Sequence, residues 1–479
     1  MKFTTTFSCV ALLIGLAAAQ PPDSLWGRSY GGELDDICWS VLPVADGGFL
    51  MAGWTESYGA GDSDFWLLRT TADGDSLWSH AYGSEAEDMG FTMCQATDDG
   101  YMLAGVSSAS GSEDFWLIKV DSDGTPLWDR RYGGPLDDRC WSIQQTTDGG
   151  YILLGWTSSY GAGSDDTWLL KVDSEGDSLW SRTFGGSSID FCYEVKQTSD
   201  GGYILTGYTG SFGAVNHDIW LIKTDANGDS LWTRMYGGSE QEEARSVVQT
   251  PDGGYLIAGW GRTLTPGNTN FIAIRTDANG DSLWGRTYGG EASDFSNTAR
   301  PVMGGGYVIA GRSYSFANGL YDIWMLRINE AGDSLWSASW GGPDADHCIS
   351  LLQLPDASFV LAGLTSTEGA GLQFYLQKTT PDPLPIDDYR SSQPLTVSLT
   401  ACPNPFNSEV RIMYSLPQTD NVTLSVYNLQ GQLVEHLLSE RATAGEYSIT
   451  WQPQATSGIY FVRLQTGVVT ATQKVLYLR

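Results

Sequence analysis

The chain predicts an all-β fold: a seven-bladed β-propeller closed by its own N-terminal strand, followed by a smaller Ig-like β-sandwich. Three observations carry this expectation. Asp-Ser-Leu-Trp or a close variant returns seven times, its tryptophans at Trp26, Trp78, Trp128, Trp180, Trp232, Trp284 and Trp336. The spacing is 52 residues except for one step of 50, and a period of that length marks a repeat architecture. Each period holds four short apolar runs rich in β-branched and aromatic residues and bounded by Gly, Asp and Asn, the pattern of strands joined by tight turns. No stretch keeps a helical period long enough to compete.

The elements follow in order. After each Leu-Trp comes an aromatic-Gly-Gly turn, as in Tyr30-Gly31-Gly32, then an acid and a first strand such as Cys38–Leu42. An Asp-Gly-Gly turn (Asp46-Gly47-Gly48) leads to a second strand, Phe49–Gly53, and a Gly-rich loop leads to a third, Phe65–Arg69. A turn of the Asp-x-x-Gly-Asp kind returns the chain to the next Leu-Trp, the fourth strand. Four strands in about 40–50 residues is the arithmetic of a propeller blade. Only six fourth strands follow a third strand; the seventh, Ser24–Ser29, precedes everything. The simplest closure sets it beside the last third strand, Phe374–Lys378, since a free first strand in a solenoid would leave an exposed edge.

The expected domains are a secretory signal at 1–19, the propeller at 23–380, a Pro-rich linker at 381–396 and the sandwich at 397–479. Lys2, the apolar run Val10–Ala19 and the small residues Ala17-Ala18-Ala19 fit a signal with cleavage before Gln20. That run is too short to span a bilayer. Net charge is −31. From Leu395 onward five acids balance five bases, so the excess lies in the propeller and disfavours nucleic acid and anionic membranes. Cys38, Cys140, Cys192 and Cys348 share one place in the first strand, where other repeats carry Gly90, Ala244 and Ser296. A slot that accepts these types wants small volume rather than a thiol. Disulfides between Cys140 and Cys192, or Cys38 and Cys348, are the alternative for an exported chain.

The last 80 or so residues carry a second signature. Pro403-Asn404-Pro405-Phe406-Asn407 opens it, Ile412–Pro417 and Val426–Val434 (with Gly431) follow, then Ala444-Gly445, Ser457-Gly458-Ile459-Tyr460-Phe461 and Lys474–Arg479. In motif order, spacing and C-terminal position this resembles the type A C-terminal sorting domain of type IX secretion cargo. The resemblance implies engagement of the type IX machinery and delivery to the medium or the outer-membrane surface. Pro403, Asn404, Pro405, Phe406, Gly431, Gly445, Gly458 and Lys474 mark the motif. The alternative is an ordinary Ig-like accessory domain. The repeat itself resembles the tryptophan-containing repeat of quinoprotein propellers, but the quinone-binding residues cannot be placed, so redox activity is not carried over.

Candidate chemistry falls between the tryptophans. Six residues after each turn aromatic stands an acid: Asp36, Asp88, Asp138, Asp190, Glu242, Asp294 and Asp346. Seven like charges around one mouth call for pairing, solvation or a bridging cation; alternatively, each accepts N–H bonds from its own turn. Loop-tip aromatics Tyr58, Tyr160, Phe212 and Phe316 suit a sugar- or peptide-binding platform, or pack loop on loop. Turns such as Asp225–Asp229 offer oxygen to calcium but are also ordinary hairpin turns, so no cofactor is expected and calcium is the one candidate. His80, His217, His347 and His436 form no metal pattern, and no nucleophile elbow or phosphate loop occurs. The expected function is therefore a secreted or surface protein, more binding module than enzyme, for a glycan, peptide or protein ligand. A carbohydrate-active hydrolase using the carboxylates and a structural envelope component are the alternatives.

Overall fold

The computed structural model describes residues 20–262, 268–366, 371–383, 398–402, 406, 408–416, 420–442, 445–453, 456–466 and 470–477. The chain divides into two compact units at residues 384/385. The signal segment 1–19 and residues 384–396 of the linker lie outside the described residues.

The first unit is a series of four-stranded antiparallel blades. In the first blade β2 (Asp36–Pro43), β3 (Phe49–Thr55), β4 (Asp64–Thr70) and β5 (Ser76–Tyr82) pair in chain order. Strands β6–β25 repeat this five times, with first strands β6 (Asp88–Gln95), β10 (Asp138–Gln145), β14 (Asp190–Gln197), β18 (Glu242–Gln249) and β22 (Asp294–Pro301). The last blade takes β26 (Asp346–Gln353), β27 (Ser358–Ser366) and β28 (Leu372–Pro381), and its fourth strand is β1 (Ser24–Tyr30) from the start of the chain. Trp26 lies opposite Lys378 and Tyr30 opposite Phe374 in the antiparallel register. The N-terminal strand therefore completes the C-terminal blade, as the strand count predicts.

Third strands are buried almost end to end, β28 of the last blade less completely, and fourth strands are largely exposed. This gradient explains the composition: β4 reads as a continuous apolar run because both its faces are covered. Blades pack face to face through shared clusters. Phe65, Leu67 and Leu50 of the first blade meet Leu103, Trp116 and Ile118 of the second. The same kind of core joins last blade to first: Trp66 and Met51 meet Phe374 and Val360, with Trp66 and Phe374 rings 4.4 Å apart. The first strands neighbour one another in sequence, and β26 neighbours β2.

The repeated tryptophans fasten the outer strands. Trp26 packs on the turn glycine of the next blade: Gly74 has φ +80, and a Cβ there would come within 2.9 Å of the indole. Only glycine meets both demands cheaply. Tyr30 Oη donates to Gly74 O at 2.5 Å, and Tyr82, Tyr132, Tyr236 and Tyr288 make the same bond to their own next blades. Arg28, Arg130, Arg182, Arg234 and Arg286 lie 5.2–5.9 Å from the indole two residues earlier, a cation–π contact. Cys38, Cys140, Cys192 and Cys348 are free thiols with no exposure; burial pushes Cys192 and Cys348 up to about 12.

One blade departs from this pattern. In the other six blades the third-strand cation pairs with the aspartate of the turn between first and second strands, as in Lys171–Asp148 at 3.1 Å and Lys378–Asp356 at 3.8 Å. The sixth blade has Gly304 in that place at φ +88, where an aspartate would be strained. Arg327 instead pairs with Asp382 at 3.1 Å, both side chains being at most 3% exposed. The other Asp382 oxygen accepts Trp336 Nε1–H at 3.1 Å. The first unit thus extends past residue 380: β28 runs through Pro381, and Asp382 is a packed residue rather than linker.

The second unit has two sheets. One orders β29 (Ser398–Cys402), β30 (Val410–Leu416) and β33 (Gly445–Trp451); the other orders β32 (Leu433–Ala442), β31 (Asp420–Asn428), β34 (Gly458–Gln465) and β35 (Thr470–Tyr477). Val410, Ile412, Leu424, Val426, Trp451, Val462 and Val475 fill one core drawn from both, consistent with a sandwich.

Candidate functional site

The seven predicted carboxylates are buried, at 0–6% exposure. One oxygen of Asp36, Asp138, Asp190, Asp294 and Asp346 accepts the N–H of the glycine four residues upstream at 2.8–3.0 Å. Ser84 N–H serves Asp88 at 2.7 Å and Gly238 N–H serves Glu242 at 3.2 Å. Second-loop hydroxyls add to this: Ser57, Ser159, Ser211 and Ser315 donate to the same oxygen at 2.8–2.9 Å. Asp36, Asp138, Asp190 and Asp294 therefore tie their own aromatic-Gly-Gly turns to the loop between second and third strands. Burial pushes Asp138 above the ordinary carboxylate range, against the bonds from Thr157, Gly134 and Ser159.

A second set of acids, which the sequence reading passed over, opens the third strands. Asp64, Asp166, Asp218 and Asp322 each have one buried oxygen without a hydrogen-bond partner among the described residues. Each stands across a glycine from the next blade's carboxylate. A Cβ on Gly185 would overlap Asp166 Oδ1 and lie 3.1 Å from Asp190 Oδ2. Burial first, then the charges of Asp190 and Asp165, push Asp166 upward. Asn270 and Gln373 hold the equivalent places in the fifth and last blades. The turn acid Asp225 is engaged by the N–H groups of Asn227 and Asp229 at 2.8 and 2.9 Å.

The loop-tip aromatics sit on the same face as the aromatic-Gly-Gly turns, 44–57% exposed. Tyr58 and Tyr160 hydroxyls donate to Gly31 O and Gly133 O at 2.8 and 2.7 Å. Their rings lie 5.3 and 5.5 Å from Trp66 and Trp168, while Phe212 and Phe316 lie 5.7 and 4.9 Å from Trp220 and Trp324. Each aromatic offers one face to solvent and rests the other on its own blade.

The sites that break the repeat lie three residues beyond each acid. Every first strand shifts register there against its second strand, leaving one residue unpaired: Trp39, Phe91, Trp141, Tyr193, Arg245, Asn297 and Ile349. A bulge re-aims its side chain, and Trp39, Phe91, Trp141, Tyr193 and Arg245 form one continuous run of contacts. Phe91 stacks on Trp141 at 4.3 Å, Trp39 meets both edge-on at 5.4–5.5 Å, and Trp141 reaches Tyr193 at 5.9 Å. Blades one to four therefore line this place with aromatics, and blades five to seven with Arg245, Asn297 and Ile349. The signal was present in the sequence as one column reading Trp, Phe, Trp, Tyr, Arg, Asn, Ile within otherwise repeating strands.

Around the polar half the neighbours also depart from the repeat. Arg245 lies 3.8 Å from the Tyr193 ring and pairs with Glu243 at 3.0 Å. Gln241 donates to Glu243 at 2.9 Å and lines a hollow of about 450 Å³ with Ser188, Ile189, Val215, Asn216 and His217. His347 Nε2 lies 2.9 Å from Asn297 Oδ1. Burial, then the positive fields of Arg312 and Arg245, hold His347 neutral, well below the usual histidine range. Arg312 occupies the second-strand place filled elsewhere by Trp54, Trp156, Tyr208 and Trp260. Its guanidinium lies 4.9 Å from Phe295 and 5.2 Å from Tyr321.

In the second unit Phe406 is buried on Trp451 and Tyr477 at 5.7 and 5.1 Å. Gly431 closes the turn between β31 and β32 at φ +76, Gly458 opens β34, and Lys474 pairs opposite Phe461 in β35. Gly445 opens β33, and Pro403, Asn404 and Pro405 lie outside the described residues.

Comparison with known proteins places the C-terminal unit. Residues 400–477 match the family described as the secretion system C-terminal sorting domain. The chain is thus an exported all-β repeat protein that carries a type IX sorting domain, secreted or displayed on the outer-membrane surface. A fungal alcohol oxidase of the AA5 family, solved with copper, aligns over 96% of this chain and 100% of its own at 12% identity and a TM-score of 0.50. This is a likeness of fold. A protein of unknown function from Dyadobacter fermentans aligns over 75% of this chain and 98% of its own, with 12% identity and a TM-score of 0.43. Regulatory protein FlaEY of Caulobacter vibrioides is 27% identical over 174 residues, 31% of this chain. That match spans 18% of FlaEY.

Proposed function

We propose that the seven blades form a closed propeller that the sorting domain carries to the cell surface or medium, where it acts as a ligand-binding module. One observation carries the reading. Packing and turn positions repeat from blade to blade, whereas the bulge residues differ at nearly every blade and run from aromatic to polar around the inner side. A scaffold needs no such asymmetry; a ligand contacted on several blades does. Tyr58, Tyr160, Phe212 and Phe316 extend the contact surface outward as half-exposed aromatics. The acids Asp36, Asp88, Asp138, Asp190, Glu242, Asp294 and Asp346 serve the scaffold in this reading, because their own turns and loops occupy them.

The test is binding of the secreted protein to mixed glycan and peptide arrays, compared with Tyr193→Ala and Trp141→Ala. Both substitutions are expected to lower retention at least tenfold while leaving the unfolding midpoint of the fold in place. Retention unchanged in both variants would overturn the reading.

A further inference from the structure

We infer that the polar half of this inner site, around Arg245 and Arg312, binds a carboxylate-bearing sugar, a uronate or sialate residue of an acidic glycan. The inference rests on the binding reading above and names the ligand class for the same site.

The charge distribution is the first reason. Net charge is −31, yet this place gathers two arginines that the repeat does not require. In the strand positions concerned the other blades use aromatic or aliphatic residues and one amide, none of them charged. The scaffold arginines and lysines of the third strands each have an acid or carbonyl to serve, as Arg275 has Asp252 and Lys223 has Asp200. Arg312 has none: its Nε–H is buried and lacks a hydrogen-bond partner among the described residues. Arg245 is half-satisfied. Glu243 takes one terminal nitrogen at 3.0 Å, while its Nε–H is also buried without a partner. A buried donor left unmade is costly, and an anion reaching both guanidinium groups would satisfy it. Guanidinium forks suit planar carboxylates.

Among the described residues Glu243 is the one acid in an ion pair with either arginine. Tyr193, Phe295 and Tyr321 supply the ring faces against the two guanidinium groups, and Asp346 adds its charge near Tyr321. Arg312 Nε–H has no partner among the described residues, which leaves it for a ligand. The aromatic wall supplies the second half of the argument. Tyr193 and Trp141 continue the site toward blades three and four; Arg245 covers one Tyr193 face and Phe91 one Trp141 face, so the opposite faces are the ones to meet the C–H face of a pyranose. Gln241 is bonded to Glu243 and lines a neighbouring hollow, which neither arginine lines. Arginine for the carboxylate, amide donors for hydroxyls and aromatic faces for the ring describe an acidic sugar more fully than an acidic peptide.

The test uses the full secreted chain and titration calorimetry with oligomers of galacturonate, glucuronate and alginate and with sialyllactose. Their methyl-esterified or neutral counterparts and a polyglutamate peptide complete the panel. At least one acidic sugar is expected to bind, its ester at least tenfold more weakly, with affinity falling as salt rises. Arg312→Met keeps the contact with Phe295 and removes the charge, and is expected to cost at least tenfold; Arg312→Lys should recover part of it. A neutral glycan or peptide that binds equally well to wild type and Arg312→Met would overturn the ligand class and leave the binding module standing. Polyglutamate binding with the same arginine dependence would overturn the sugar assignment. Silence across this panel and the arrays would sink both. If Arg312→Met fails to fold, the ester comparison and salt dependence of the wild-type protein still decide.

Discussion

Replacing Asp382 by alanine is expected to destabilise the first unit far more than replacing the equivalent turn acid of any other blade. Arg327 and Asp382 are 2% and 3% exposed, and their separation in sequence is 55 residues. Breaking a buried ion pair by removing one partner costs about 3–5 kcal/mol, since the remaining charge is left unpaired in a low dielectric. Trp336 Nε1–H loses its acceptor as well, adding about 1 kcal/mol. Arg327 keeps a bond to Ile328 O at 2.6 Å, which holds the total near the lower part of that range. The control is Asp148→Ala. Asp148 is 60% exposed, so water replaces it and the cost is about 1 kcal/mol. Guanidinium denaturation followed by tryptophan fluorescence reads both variants in the full chain. Equal midpoints for the two, or a larger loss for Asp148→Ala, would refute the claim that the chain exit locks the sixth and seventh blades.

Three further outcomes follow from the geometry. Asp166→Asn should stabilise the fold by about 1 kcal/mol at neutral pH, because it removes a buried acceptor that has no donor. The folded value of Asp166 is raised, so its penalty is absent in acid and grows as pH rises through the ordinary carboxylate range to the raised value. Stability curves of wild type and variant should converge at low pH, and a constant gap would contradict this. Deleting residues 20–30 strips β1 from the last blade and Trp26 from the core of the first, so cooperative unfolding of the whole unit should be lost; hydrogen exchange confined to β28 would show the closure to be dispensable. Removing residues 400–477 should abolish appearance at the surface or in the medium, measured by fractionation and immunoblot, and unchanged export would contradict the sorting assignment.

Much of this molecule was legible because its residues repeat. The Leu-Trp period marked the four-stranded repeat, and the odd position of Ser24–Ser29 foretold the pairing of β1 with β28. The acids at Asp36 and its equivalents were legible as a repeated position, but not their partners: the serine donors to Asp36, Asp138, Asp190 and Asp294 come from a loop 21 residues away, which spacing alone does not connect. β29 went unseen because Ser398–Cys402 is short and lies beside the linker.

What the sequence by itself determined is the set of local and periodic features: strand, turn, four-stranded repeat and sorting motif, each encoded within a few residues or one period. What only the tertiary structure decided depends on groups brought together from different blades. The register shift that turns Trp39 through Ile349 inward is invisible in composition, because a bulge exists only relative to its partner strand. Asp382 reads as linker until Gly304 is seen to leave Arg327 without an acid. Arg245 and Arg312 lie in separate blades, and only the packing of those blades lets both act on His347.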